Sequence, residues 1–241
     1  MLPRIADVGD WLAVLRDAVL ARPPALLFAG DGGGPPADDR LNAYLLKAAL
    51  LSAAASFVFE RFQAQMRAVM AANPHMAAMM GTLDEVRAAG ARVPVGFAVV
   101  ILDLAIHLGL ITAALVLLLR LAGQPLPGWR VPLAGALGVF VCLQVWRLAA
   151  NWGSLKIVPW MMDPSPWSQL ARLPVLLIWL GNFAMPAVAL GRTTRALAPG
   201  LRRPMLLGIL AYVATFGIAF AITLSGLEAA VLRVFALPTD P

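Results

Sequence analysis

Five apolar stretches, each near the length of a bilayer-crossing helix, constrain this chain more than any other feature. They lie at about residues 41–59, 93–121, 131–150, 173–190 and from 205 to beyond 224. A hydrocarbon core of about 30 Å is crossed by roughly 20 helical residues. Lipid offers backbone groups no hydrogen-bond partner, so runs of this kind satisfy their N–H and C=O groups internally, as helices. Composition points the same way. Of 241 residues, 61 % are apolar and only 13 % charged, against about 25 % charged in a soluble domain. That is too little charge to cover a water-facing surface, which excludes a soluble globular domain, a disordered tail and a nucleic-acid binder despite a formal net charge of +6. The expected fold is all-α, a polytopic transmembrane bundle of about five spans.

The first 40 residues read differently. Leu2, Ile5, Trp11, Leu12, Leu15 and Val19 recur near helical spacing, with Arg4, Asp7, Asp10, Arg16 and Asp17 between them. This spacing predicts an amphipathic helix of about 20 residues suited to the headgroup layer. It stops at Arg22-Pro23-Pro24, and the Gly/Pro-rich stretch GDGGGPPADD that follows reads as a solvated loop. No lysine in phosphate-loop register follows those glycines. The aspartates among the first residues, with no continuous apolar run after Met1, do not fit a secretory signal. The chain therefore divides into an interfacial helix and loop over 1–40 and a transmembrane helical domain over 41–237. That domain carries an interfacial helical insert at about 60–92, broken at Asn73-Pro74. Whether 41–59 crosses fully or dips and returns decides which face holds the N-terminus.

Prolines and charges refine the spans. Pro174, Gly181, Asn182 and Pro186 predict a kink or break in the fourth. Trp129, Trp146, Trp152, Trp160 and Trp167 fall near predicted ends, where indoles anchor at the interface. Lys47 aside, ten basic residues fall on the side of the N-terminus and eight on the other, and the short loop RTTRALAPGLRR is the most concentrated. This balance places the N-terminus in the cytoplasm of a multi-pass inner-membrane protein. Arginine beside spans also implies contact with anionic lipid, so membrane lipid is the expected bound molecule and no cofactor is predicted.

Few residues could carry chemistry. Asp103 and His107 are four apart, on one face of the second span. Comparing depths along antiparallel spans groups Asp103, His107, Gln144, Arg147 and Asn182 into an intramembrane polar cluster, with Asp103–Arg147 as its ion pair. One reading is a proton relay or polar substrate site; the plainer one is interhelical glue, because polar groups in lipid seek one another. His107 as an axial ligand of a macrocycle is a further reading that nothing else in the chain supports. His75, Met76, Met79 and Met80 offer imidazole and soft thioethers, a donor set for Cu(I), although methionine also fills apolar faces. Cys142 is the single cysteine, which excludes a disulfide framework, and two histidines are too few for a zinc enzyme of the usual kind. No nucleophile motif, HExxH or paired carboxylate is present, so no enzyme is expected.

The layout resembles one family. An amphipathic N-terminal helix, a loop containing RPPALLF, five apolar segments and the stretch GRTTRALAPGLRRPMLLGILAYVATFGIAF resemble the Yip-domain family of Rab-interacting membrane proteins and its bacterial relatives. The resemblance implies a non-catalytic helical membrane protein that binds partners or shapes lipid. It carries over no catalytic residues. The leading expectation is a scaffold or accessory subunit of a membrane assembly, with protein partners in that complex; the alternatives are a small transporter or proton-coupled channel using Asp103, His107 and the broken fourth helix, or a lipid- or quinone-handling membrane enzyme subunit.

Overall fold

The computed structural model describes residues 8–24, 38–71, 97–124, 128–161 and 166–224, and among them the structure is all helix. In chain order the helices are α1 (Val8–Val19), α2 (Asp38–Ala71), α3 (Phe97–Leu121), α4 (Arg130–Met161), α5 (Pro166–Leu197) and α6 (Pro204–Leu224). Four stretches of these helices are long and apolar enough to cross a membrane: Asp38–Phe59, Arg130–Ser154, Leu173–Leu197 and Pro204–Ile222. On α3 the described apolar stretch is Ala105–Leu121, a little shorter than the others.

Local chemistry sets the helix ends. Asp38 and Asp39 open α2 against its positive dipole end, and Arg120 closes α3 at the negative end. Beyond Arg120, Gly123 adopts φ 66°. Its N–H bonds the Arg120 carbonyl and the Gln124 N–H reaches back to Leu119, the paired bonds of a glycine-terminated helix. The same pair of bonds ends α1, but there Ala21 takes the left-handed position with φ 51°, at a cost of about 1 kcal/mol for a residue with a Cβ.

Of the kink or break expected in the fourth span, the break does not occur: α5 is one helix of 32 residues with Pro174 and Pro186 inside it. Each proline removes one N–H, and the remaining bonds and the packing of α4 and α6 carry the helix through. The apolar stretch of the first span ends at Phe59, while its helix, α2, continues to Ala71, 34 residues in all. Residues 72–96 lie outside the described ones, as does the predicted break at Asn73-Pro74.

The bundle is organised around α4. It packs against α1, α2, α3 and α5, while α6 packs against α3 and α5. Residues 136, 137 and 139–144 of α4 are all buried. The Arg130 guanidinium meets Asp38 at 3.4 Å, so α2 and α4 start at the same end and run parallel. Ala122 and Gly200 bring the α3–α4 and α5–α6 loops to that end too.

In lipid, burying another leucine gains little, because the solvent is already apolar; close backbone approach at small residues matters more. A Cβ at Gly208 would lie 2.6 Å from the Gly191 Cα and 2.8 Å from the Leu190 carbonyl, which locks α6 to α5. One at Gly181 would lie 2.5 Å from the Trp146 ring, and one at Gly138 would lie 2.8 Å from Pro24. Trp146 therefore packs against α5. Trp129 and Trp152 are exposed; the side chains of Trp160 and Trp167 lie outside the described ones.

Candidate functional site

Two polar constellations stand out, one within the bundle and one where α1 docks. The first follows from helix register. Antiparallel packing sets Leu115 of α3 against Gly135 of α4, and the His107 ring lies 6.3 Å from that of Phe140. Continued along both helices, this register brings Asp103 level with the turn of α4 that holds Gln144 and Arg147, with His107 about one turn away, opposite Phe140. Packing of Thr193 on Gly135 and of Trp146 on Gly181 brings Asn182 of α5 to the same turn. Two antiparallel packings, α3 on α4 and α4 on α5, thus carry polar residues toward one level, about 21 Å from the start of α4 at 1.5 Å per residue.

A shared level is not a shared pocket. Gln144 and Trp146 are two residues apart, about 200° around α4. Trp146 faces Gly181, next to Asn182, so Gln144 points away from α5. Gln144 is 1 % exposed, and neither atom of its amide has a hydrogen-bond partner. The Asn182 Oδ1 is buried and unpartnered as well. The Arg147 guanidinium lies 3.7 Å above the centre of the Phe59 ring, a cation–π contact across to α2. The side chain of Asp103, and with it the expected Asp103–Arg147 pair, lies outside the described residues.

His107 has company that the sequence did not suggest. With Leu110, Ile111, Tyr212, Thr215 and Phe216 it lines a cavity of about 10 Å³ between α3 and α6, room for roughly one water molecule. The Tyr212 hydroxyl is buried without a partner, and Thr215 donates to the Tyr212 carbonyl at 2.8 Å. A tyrosine and a threonine three apart on α6 are the signal that could have revealed this site, since that spacing puts both on one helix face.

The second constellation joins α1 to the bundle. The Lys47 ammonium, 5 % exposed on α2, meets the Asp10 carboxylate at 2.6 Å. At the other end of α1 the Arg192 guanidinium donates to the carbonyls of Leu20 at 2.7 Å and Ala21 at 3.3 Å. The Trp146 indole donates to Val19 at 3.3 Å. Thus α1 runs from α2 across α4 to α5, burying Val14, Asp17, Ala18 and Ala21 and exposing Leu12, Arg16, Val19 and Leu20. A lysine inside an apolar span implies a carboxylate partner, so Lys47 was the clue; nothing in the spacing identified Asp10.

Among the described residues no group of three or more His, Cys, Asp or Glu is placed to hold a metal ion. His75, Met76, Met79 and Met80, the copper candidates, lie outside the described residues. Compared with known protein families, characterised proteins and solved structures, the chain matches none.

Proposed function

We propose that this chain is a non-catalytic bacterial inner-membrane protein, a scaffold or accessory subunit of a larger membrane assembly. The observation that carries the reading is the outer face of α5. Leu170, Leu173, Leu177 and Leu180 are all more than half exposed, at alternating spacings of three and four, the spacing with which one helix receives another. The core behind that face is closed by α4, so the bundle supports the face as a rigid surface. The resemblance to Yip-domain proteins points the same way, since it implies partner or lipid binding. The arginine-rich end, with the start of α2 and the α5–α6 loop, is assigned to the cytoplasm.

The test is purification in mild detergent followed by identification of what co-purifies, with wild type compared against Leu177→Trp/Leu180→Trp. These substitutions keep the segment apolar but change its shape. A stoichiometric membrane partner that the double variant loses, with α-helical content intact, supports the reading. A lone monomer in both preparations defeats it.

A small proton-coupled transporter or channel is the second reading, favoured by the cavity joining His107 to the unpartnered Tyr212 hydroxyl. Asp103→Asn separates the two: a relay loses ion flux in proteoliposomes, whereas interhelical glue changes only stability.

A further inference from the structure

At the end of the bundle shared by the α3–α4 and α5–α6 loops, four exposed arginines have no ion pair or side-chain hydrogen bond among the described residues. Arg120 closes α3, Arg195 sits in the last turn of α5, and Arg202 and Arg203 immediately precede α6. The loops adjoin, since a Cβ at Gly200 would lie 3.8 Å from the Ala122 carbonyl. Nearby Asp38 is already engaged by Arg130.

Arg120 and Arg195 are explained by the negative dipole ends of their own helices. Arg202 and Arg203 are not, because they crowd the positive end of α6, where cations are unfavourable. With no partner for them among the described residues, the charge there is open to an anion from outside the chain. Below it, Leu206, Leu210, Val213 and Phe220 recur on one exposed face of α6. That stripe is about 21 Å long at 1.5 Å per residue, deeper than one leaflet of a core of about 30 Å. An acidic peptide or nucleic acid would use the charge but not the stripe; a lipid uses both.

We propose that this end of α6 binds an anionic phospholipid, its phosphate held by Arg202 and Arg203 and an acyl chain laid along Leu206, Leu210 and Val213. The inference rests on the chain spanning a membrane and is independent of the scaffold reading.

The experiment uses the full chain in neutral detergent, titrated with phosphatidylglycerol or phosphatidylcholine of matched acyl chains, with bound lipid counted by native mass spectrometry. Wild type is expected to prefer phosphatidylglycerol, and Arg202→Gln/Arg203→Gln to reduce that preference roughly thirtyfold, about fivefold for each surface arginine. Arg202→Lys/Arg203→Lys is expected to keep most of it, and raised salt to weaken it in wild type, a readout that holds even if the Gln variant fails to fold. Equal phosphatidylglycerol binding by wild type and a folded Gln variant, or a wild-type preference indifferent to salt, overturns the site. Competition by inorganic phosphate at the lipid's own concentration overturns the lipid as occupant. A folded particle recovered without detergent would instead defeat the membrane reading itself.

Discussion

The Lys47 ammonium lies 2.6 Å from the Asp10 carboxylate, joining α2 to the N-terminal helix across 37 residues of sequence. The pair is asymmetric: the lysine side chain is 5 % exposed and the aspartate 64 %. A charge so enclosed needs its partner far more than an exposed carboxylate does. The contact therefore acts less as a stabilising surface bridge than as neutralisation of a cation inside an otherwise apolar span.

Asp10→Asn leaves that cation without its counter-charge. Removing one partner of a fully buried pair costs about 3–5 kcal/mol; with Asp10 mostly exposed, a smaller loss of about 1–2 kcal/mol is expected. Thermal unfolding in detergent followed by circular dichroism measures it. Lys47→Met should restore most of the loss in the Asp10→Asn background, and a double-mutant cycle showing no coupling would contradict this account.

Arg192→Gln removes the donor that holds the carbonyls of Leu20 and Ala21. Each hydrogen bond to a charged group contributes about 1.5–3 kcal/mol when well formed, less at an exposed edge such as this. The expected result is faster amide hydrogen exchange in residues 14–22, with protection in α4 and α6 unchanged. Loss of protection throughout the bundle would mean that Arg192 supports more than α1.

Two glycines on α6 should respond in opposite ways to the same substitution. Gly208→Ala drives a methyl to within 2.8 Å of backbone on α5, and since backbone cannot step aside, a loss of about 1–3 kcal/mol follows. At Gly217 a Cβ meets nothing within 4 Å, so alanine there should stabilise by about 0.5–1 kcal/mol through helix propensity. Melting temperatures of the two variants, moving down and up respectively, check the α5–α6 packing.

Gln144→Leu tests what the buried amide is for. Neither polar atom of Gln144 is bonded, and burying such a group unsatisfied costs about 1–3 kcal/mol. If the residue is only structural, leucine should raise the unfolding midpoint. A stabilised variant that also loses ion flux in proteoliposomes would instead assign Gln144 to a conduit.

Much of the architecture was legible because it depends on local quantities. Apolar run length marks where a helix can remain in lipid, and it located the helices containing Lys47, His107, Gln144, Asn182 and Tyr212. Depth comparison grouped His107, Gln144, Arg147 and Asn182 by level alone, the one coordinate that the rise per residue supplies. Which way each side chain turns around its helix was not legible: Gln144 on α4 and Asn182 on α5 lie at a similar level but do not face each other, because rotation about the axis is fixed by contacts such as Trp146 on Gly181. Whether the prolines of α5 break the helix was not legible for a related reason. They weaken a helix locally, and neighbouring helices decide whether it breaks.

By itself, the order of residues determined the solvent and the secondary structure: apolar runs with few charges, and end signals such as Asp38 and Gly123. Tertiary structure decided the position of α1, the partner of Lys47 and the gathering of Arg120, Arg195, Arg202 and Arg203 at one end. Helix formation is a contest between bonds a few residues apart, which a sequence displays directly. Pairing residues 10 and 47, or 20 and 192, depends on the path of everything between them, which only the folded chain fixes.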